Sequence, residues 1–448
     1  MTRTDRLATR LASMIGQRPI PLRLKLWRGE EISLADDPLV TLHVRSPKAV
    51  RRLLRPDLAS LGEAYVEGLV DMEGAVSDAI AIASRLAQGG AARQPQGGAA
   101  RSWQGGAARQ SHVGVARLWQ GGVARLHRGG LLPAWMGRYS RQRTREAIAY
   151  HYDVSNEFYA GFLDRQMVYS CAYYRTGLED LETAQLQKLD HVCRKLRLKP
   201  GLRLLDVGCG WGALVIRAAE RYGVSALGIT LSREQFELAR RRVHAAGLSD
   251  RVEIRLQDYR DVGEPAGFDR IASIGMFEHV GLAGLPGYFQ CLHDLLKPGG
   301  IVLNHGITAA HPDSRSVGAG GGKFIDRYVF PDGELPHVSL AIRELSAAGL
   351  ELADAESLRR HYALTLQAWS KAFEANFDRL RILAGERRAR IWRVYLAGCA
   401  WAFAQGWINL YQLLAVRPEA GDGGLASPLP LSRDYMYLGE WPPARPDC

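Results

Sequence analysis

Between residues 200 and 310 the chain alternates short apolar runs with amphipathic stretches. RLLDV is followed by ALVIRAAERYG and VSALGIT by REQFELARRRVHAAG, and then come VEIRLQ, FDRIASIG and KPGGIVLNHGI. Runs of strand length separated by stretches of helical period predict a doubly wound parallel sheet with helices on both faces. Upstream, LVTLHVRS reads as a strand, and PKAVRRLLR and GAVSDAIAIASRLA read as helices, so residues 1–87 predict a small α+β appendage. From about 140 to 200 the pattern is helical, and 338–416 also reads as mostly helical. The longest apolar run, LAGCAWAFAQGWINLYQLLAV at 396–416, is interrupted by Gln405, Asn409 and Gln412, which predicts a buried helix rather than a membrane span. The first twenty residues predict an amphipathic, arginine-bearing helix without the apolar core of a secretory signal.

One segment fits neither period. Residues 88–135 repeat every eight positions, as QGGAARQP, QGGAARSW, QGGAARQS, HVGVARLW, QGGVARLH and RGGLLPAW. Glycine pairs at this frequency oppose a helix, and units this short cannot each form a supersecondary element, so a disordered linker is expected. The remaining boundaries follow: an α/β domain over 136–416 and a Pro- and Gly-rich tail over 417–448. At 448 residues and 47% hydrophobic composition the chain is long enough for such a division. Its net charge of +11 is concentrated: 88–128 carries six arginines and no acid, and 131–150 has four arginines against Glu146, which leaves +2 for the rest. The six cysteines are scattered, with no Cys/His cluster at metal-ligand spacing. No disulfide framework and no metal site are expected, and a reducing cytoplasm fits.

The chemistry begins at LLDVGCGWG. An apolar strand runs into Gly208, Gly210 and Gly212 and then a helix, so the backbone must pass close to a ligand there. The spacing is GxGxG rather than GxGxxG, and the second strand ends in Thr230, without the acid that a nicotinamide dinucleotide's ribose requires. Asp206 can accept from an ammonium group, and the glycines admit a ligand that carries no phosphate. These features point to S-adenosylmethionine over a nucleotide or a purely structural turn. Ser232-x-x-Gln235 is a capping box at the same sheet edge, and Ser232 also reads as a plain helix cap. Just upstream, HYDVSNEFYAGFLDRQMVYSCAYY at 151–174 gathers five tyrosines, suited to walling a pocket.

These motifs together resemble the cyclopropane-fatty-acid synthases, mycolic-acid cyclopropane synthases and related fatty-acid methyltransferases. The likeness rests on HYDVSNEFYAGFLD, YSCAYY, LLDVGCGWG, GITLSREQ, GMFEHVG, FIDRYVFPDGELP and HYALTLQAWSKAFEAN over 140–440, and more weakly on GEAYVEGLVDMEG in the appendage. It implies a Rossmann-like class I S-adenosylmethionine-dependent methyltransferase fold with helical lid insertions, residues 136–416 being the catalytic domain. It also implies transfer of a methylene to the cis double bond of a phospholipid acyl chain, through a carbocation that bound bicarbonate deprotonates. Carried over position by position, the bicarbonate ligands are Cys171, Glu278, His305, Ile307 and Tyr362. The cofactor residues are Tyr169, Ser170, Asp206, Gly208, Gly210, Trp211, Gly212, Thr230, Leu231, Ser232, Gln235, Asp258 and Tyr259. Read alone, His305 is equally a buried histidine, Cys171 a small hydrophobe and Tyr362 a packing residue. Relatives place HTI where this chain has His305-Gly306-Ile307.

Two further expectations concern partners. A soluble enzyme acting on bilayer lipid must dock on the inner membrane surface, for which the basic 88–150 block with Trp103, Trp119 and Trp135 is suited. A homodimer is the candidate assembly. Methyl addition without ring closure is the alternative reaction. A lipid-binding protein without catalysis is disfavoured by the intact Asp206, Glu278 and Tyr362, and a nucleic-acid methyltransferase by the missing N/D-PP-[YF] signature.

Overall fold

A computed structural model describes residues 20–54, 56–91, 154–314, 321–330, 333–419 and 427–437. The N-terminal helix expected over the first twenty residues and most of the octad repeat, with its three tryptophans and the four arginines beyond it, lie outside them.

The N-terminal domain is a four-stranded sheet in the order β2-β1-β3-β4, built from β1 (Leu22–Lys25), β2 (Glu31–Ser33), β3 (Val40–Val44) and β4 (Val70–Glu73). Three helices cover it: α1 (Pro47–Leu54), α2 (Leu58–Val66) and α3 (Val76–Ala91). Asp57 caps α2 by accepting from the Ser60 amide at 2.9 Å, which satisfies one of the free N–H groups of the first turn. Helix α3 continues through Gly89 and Gly90 to Ala91, so the helix enters the first octad, where the glycine pairs predicted none. A helix already nucleated and packed adds further turns at little cost, and α3 is nucleated by AIAIASRLA.

The larger, C-terminal domain opens with α4 (Asn156–Ala160) and α5 (Leu181–Lys195), then β5 (Arg203–Val207), α6 (Ala213–Tyr222), β6 (Ser225–Thr230), α7 (Arg233–Ala245), β7 (Val252–Leu256) and β8 (Phe268–Ile274). It continues with α8 (Leu285–Leu295), β9 (Leu296–Ala309), α9 (Gly321–Tyr328), α10 (Val338–Ala347), β10 (Glu351–Ser357), α11 (Arg359–Ala375), α12 (Phe377–Ala384), α13 (Glu386–Ala404) and β11 (Ile408–Val416). The seven-stranded sheet has the order β10-β11-β9-β8-β5-β6-β7. Strands β9, β8, β5, β6 and β7 are parallel, and β11 lies antiparallel between β9 and β10. Successive strands leave β5 first toward β6 and β7, then toward β8 and β9. That reversal opens a crevice at the carboxyl end of β5, where ligands of such sheets bind.

The apolar run over 396–416 is not one helix. Helix α13 stops at Ala404, Gly406 follows at φ 70°, and the remainder is β11. A strand buried on both faces reads as a continuous apolar run, which periodicity alone does not separate from a helix. Likewise, the mostly helical reading of 338–416 missed β10 and β11. Beyond them, residues 427–437 fold back on α5: Met436 is fully buried and its carbonyl accepts from Arg194 Nε at 3.1 Å.

Polar clamps join the domains. Arg390 on α13 donates to the carboxylate of Asp71 at 3.2 Å and to the Tyr65 carbonyl at 3.0 Å. Arg393 donates to the Tyr65 hydroxyl at 2.8 Å, and Arg327 on α9 to Glu63 at 2.6 Å.

Candidate active site

The glycine turn after β5 is built from three left-handed glycines, Gly208 (φ 83°), Gly210 (φ 54°) and Gly212 (φ 84°). A Cβ at Gly210 would meet nothing, so glycine is required there for its backbone angle alone. The turn borders an open cleft. Of the thirteen predicted cofactor residues, Tyr169, Ser170, Asp206, Gly208, Gly210, Trp211, Thr230, Leu231, Gln235 and Tyr259 line it. Gly212, Ser232 and Asp258 do not. Gly212 caps α6 and approaches Ala239, Ser232 caps α7 through the Gln235 amide at 3.3 Å, and Asp258 is tied to Arg260 at 2.8 and 2.6 Å. The plain capping reading of Ser232 therefore describes its contacts.

Burial raises the Asp206 carboxyl to about 7, and the buried Lys188 ammonium opposes that rise. Burial lowers Lys188 itself to about 8, and it donates to Ser170 Oγ at 3.1 Å. Lys188 lines the cleft and was missed in the sequence because it lies within the amphipathic pattern of α5, where a lysine reads as surface. His279 was also missed. It lines the same cleft, and burial lowers it to about 4, so it is neutral at physiological pH.

The aromatic segment is held against this cleft. Asp164 accepts from the amides of Gln166 and Val168, both at 2.9 Å, fixing the tight turn in which Met167 takes φ 57°. Arg242 donates to the carbonyls of Gln166 (2.9 Å) and Trp211 (2.8 Å), and the Trp211 indole donates to Asn156 at 2.7 Å. Behind the turn lies a packed cluster of tilted and edge-on rings: Tyr159 is 5.1 Å from Trp211 and 5.5 Å from Tyr169, and Tyr169 is 5.2 Å from Trp369. Cys171 and Tyr362 are part of this cluster, and Ile307 packs against it.

The predicted bicarbonate ligands are thus brought to one region, yet they bond partly to one another. Glu278 Oε1 accepts from the Ile307 amide at 2.8 Å, and the Cys171 thiol donates to the carbonyls of Ala172 and Leu358. Glu278 Oε2 is sealed from solvent without a partner, although the residue's stem is part-exposed, and burial raises its carboxyl to about 7. His305 lies two residues from Ile307 on β9. Burial lowers its pKa far below the usual value, so its ring is neutral. The Gln412 amide nitrogen lies 3.1 Å from Nδ1, which places the ring proton on Nε2, itself buried without a partner. Gly306 between them is explained by Phe277, whose ring a Cβ there would overlap.

A seven-stranded, mostly parallel sheet with a left-handed glycine turn and a buried acid at the end of its first strand, beside an open cleft, is the architecture of class I S-adenosylmethionine-dependent methyltransferases. Residues 139–413 match the mycolic acid cyclopropane synthetase family, and the chain belongs to it. Residues 12–93 match a separate family described as a domain of unknown function. A probable fatty acid methyltransferase of Pseudomonas putida is 46% identical over 93% of this chain and 96% of its own. The cyclopropane-fatty-acyl-phospholipid synthase of Escherichia coli K12 is 41% identical over 60% of this chain and 66% of its own. The structure of mycolic acid cyclopropane synthase CmaA1 complexed with SAH and CTAB superposes with a TM-score of 0.58 at 37% identity, over 61% of this chain and 98% of that one.

Proposed function

We propose that this S-adenosylmethionine-dependent methyltransferase acts on the cis double bond of an unsaturated phospholipid acyl chain and closes a cyclopropane ring. The observation that carries this reading is a buried aromatic cluster abutting the cofactor cleft, with two unpartnered buried atoms near it, Glu278 Oε2 and His305 Nε2. An alkene is a weak nucleophile and its methylated product is a carbocation, so the reaction needs close positioning and exclusion of water. Bound S-adenosylmethionine supplies an electrophilic methyl group. Tyr169 and Trp211, shared by the cleft and the aromatic cluster, hold the double bond against it. The alkene pair forms the new C–C bond while the C–S pair returns to sulfur, and loss of a proton from the added carbon closes the ring.

The unpartnered atoms fit a small hydrogen-bonding anion, His305 Nε2–H as donor and Glu278 Oε2 as the group that exchanges a proton with it. Bicarbonate would be held by these two beside Tyr362, and would supply the base. The Ile307 amide and the Cys171 thiol already have partners in the protein, so they are the weaker ligands of the expected set. The full-length similarity to a probable fatty acid methyltransferase favours a second reading, methyl addition without ring closure. Incubation with S-adenosylmethionine and dioleoyl phosphatidylglycerol, followed by NMR of the fatty esters, separates the two: a ring methylene supports the first reading, and a branched methyl or exocyclic methylene the second. Unchanged lipid would sink both.

A further inference from the structure

Between the two domains lies a second cavity of about 160 Å³. One wall is N-terminal, with Leu42 and Met72 of the small sheet, Leu61 on α2 and Ala83 on α3, and the facing wall is α13, with Val394 and Gly398. None of the lining residues carries a charge. Among their polar groups, the Trp401 indole N–H is engaged by Ser84 at 3.2 Å and the Tyr65 hydroxyl by Arg393 at 2.8 Å. A cavity that holds ordered water needs several polar partners for each molecule, and this one offers hydrocarbon. Protein interiors leave few voids larger than a water molecule, and an apolar space of about 160 Å³ is of the size that stays dry and takes an apolar guest.

Helix α13 adds a second sign. Gly398 lies in its middle, where glycine is the poorest helix former short of proline, and a Cβ there would meet nothing within 4 Å. The residue is not required by a close neighbour or a left-handed angle. It leaves room on the cavity side.

The cavity adjoins the aromatic cluster beside the site already described. Phe324, Tyr395 and Ile408 belong both to its wall and to that cluster. The Tyr395 hydroxyl lies 3.3 Å from that of Tyr169, which lines the cofactor cleft. Tyr395 and Tyr169 therefore link the wall of the interdomain space to that of the cofactor cleft.

We propose that this interdomain cavity binds the methyl-terminal portion of the substrate acyl chain, beyond the double bond, and that the N-terminal domain is a wall of the substrate site. The proposal rests on the acyl-modifying activity argued above. The absence of charge in the lining fits the hydrocarbon end and excludes the headgroup, which must remain on the other side of the tyrosine pair.

The test uses the full chain. Gly398→Leu puts four carbons into the space and displaces about four methylenes, which at the ordinary burial energy per methylene lowers kcat/KM on dioleoyl phosphatidylglycerol vesicles by roughly a hundredfold. S-adenosylmethionine affinity should be unchanged and the melting temperature not lowered, since leucine favours the helix. Gly398→Ala should stay near wild type. Independently, stearic acid carrying a photoreactive diazirine near its methyl end should label both α2 or α3 and α13 of the wild-type protein. Full turnover in Gly398→Leu, or labels confined to 156–173 and 362–373, overturns the proposal. A wild-type protein that leaves lipid unmodified overturns the functional reading instead, and the labelled positions still decide the cavity.

Discussion

Replacing Glu278 with glutamine should cost turnover while making the protein relatively more stable as pH rises. Burial raises the Glu278 carboxyl from its usual 4.5 to about 7. Between those values the folded protein holds a proton there that the unfolded chain has released, so the stabilisation is complete below about pH 4.5 and lost as pH climbs through about 7. Each pH unit of that window removes about 1.4 kcal/mol, which sums to about 3 kcal/mol. Glutamine keeps an oxygen for the Ile307 amide and carries no charge, so it escapes this loss. Asp206, also raised to about 7, titrates in both proteins and cancels from the difference. Urea unfolding between about pH 5 and pH 8 should therefore show the variant gaining about 3 kcal/mol on the wild type. Turnover on dispersed phospholipid should fall by about 10²- to 10⁴-fold, the usual span for a proton-transfer group, with S-adenosylmethionine affinity nearly intact. A stability difference that does not change with pH would show that Glu278 is not held protonated. Loss of cofactor binding in parallel with rate would place it on the cofactor.

Lys188→Met removes the charge that holds Asp206 down, so S-adenosylmethionine affinity near neutral pH should weaken by about tenfold and recover as pH rises, read by calorimetry. Gly306→Ala drives a methyl into the Phe277 ring and should destabilise by about 2 kcal/mol in chemical unfolding, with activity falling because Glu278 is the next residue. Excising 96–127, four whole octads, should leave activity on detergent-dispersed phospholipid unchanged; loss of that activity with the fold retained would end the linker reading. Replacing Arg138, Arg141, Arg143 and Arg145 with glutamine should weaken co-sedimentation with anionic vesicles, and binding by the wild type should fall with salt as the Debye length shrinks from about 10 Å at 0.1 M to about 3 Å at 1 M.

The sequence by itself determined what depends on local pattern. Strand and helix alternation set the doubly wound sheet, three glycines in GCGWG demanded left-handed backbone, and the aspartate ending the strand before them marked the cofactor end of the sheet. Residues brought together by long-range packing were beyond it. Lys188 looks like any lysine on an amphipathic helix until α5 is laid across the cleft. The direct bond from Glu278 to Ile307 joins positions 29 apart, and only the insertion of β11 between β9 and β10 places Gln412 against His305. The run over 396–416 is apolar but for a few polar positions such as Gln405, Asn409 and Gln412, and whether it coils or extends is decided by the place in the sheet that its second half fills, since burial on both faces erases the periodicity that would tell. The interdomain cavity is the extreme case. Each of its walls is an ordinary apolar face in the sequence, and only the docking of α13 against α2 and α3 turns the space left between them into a place for a guest.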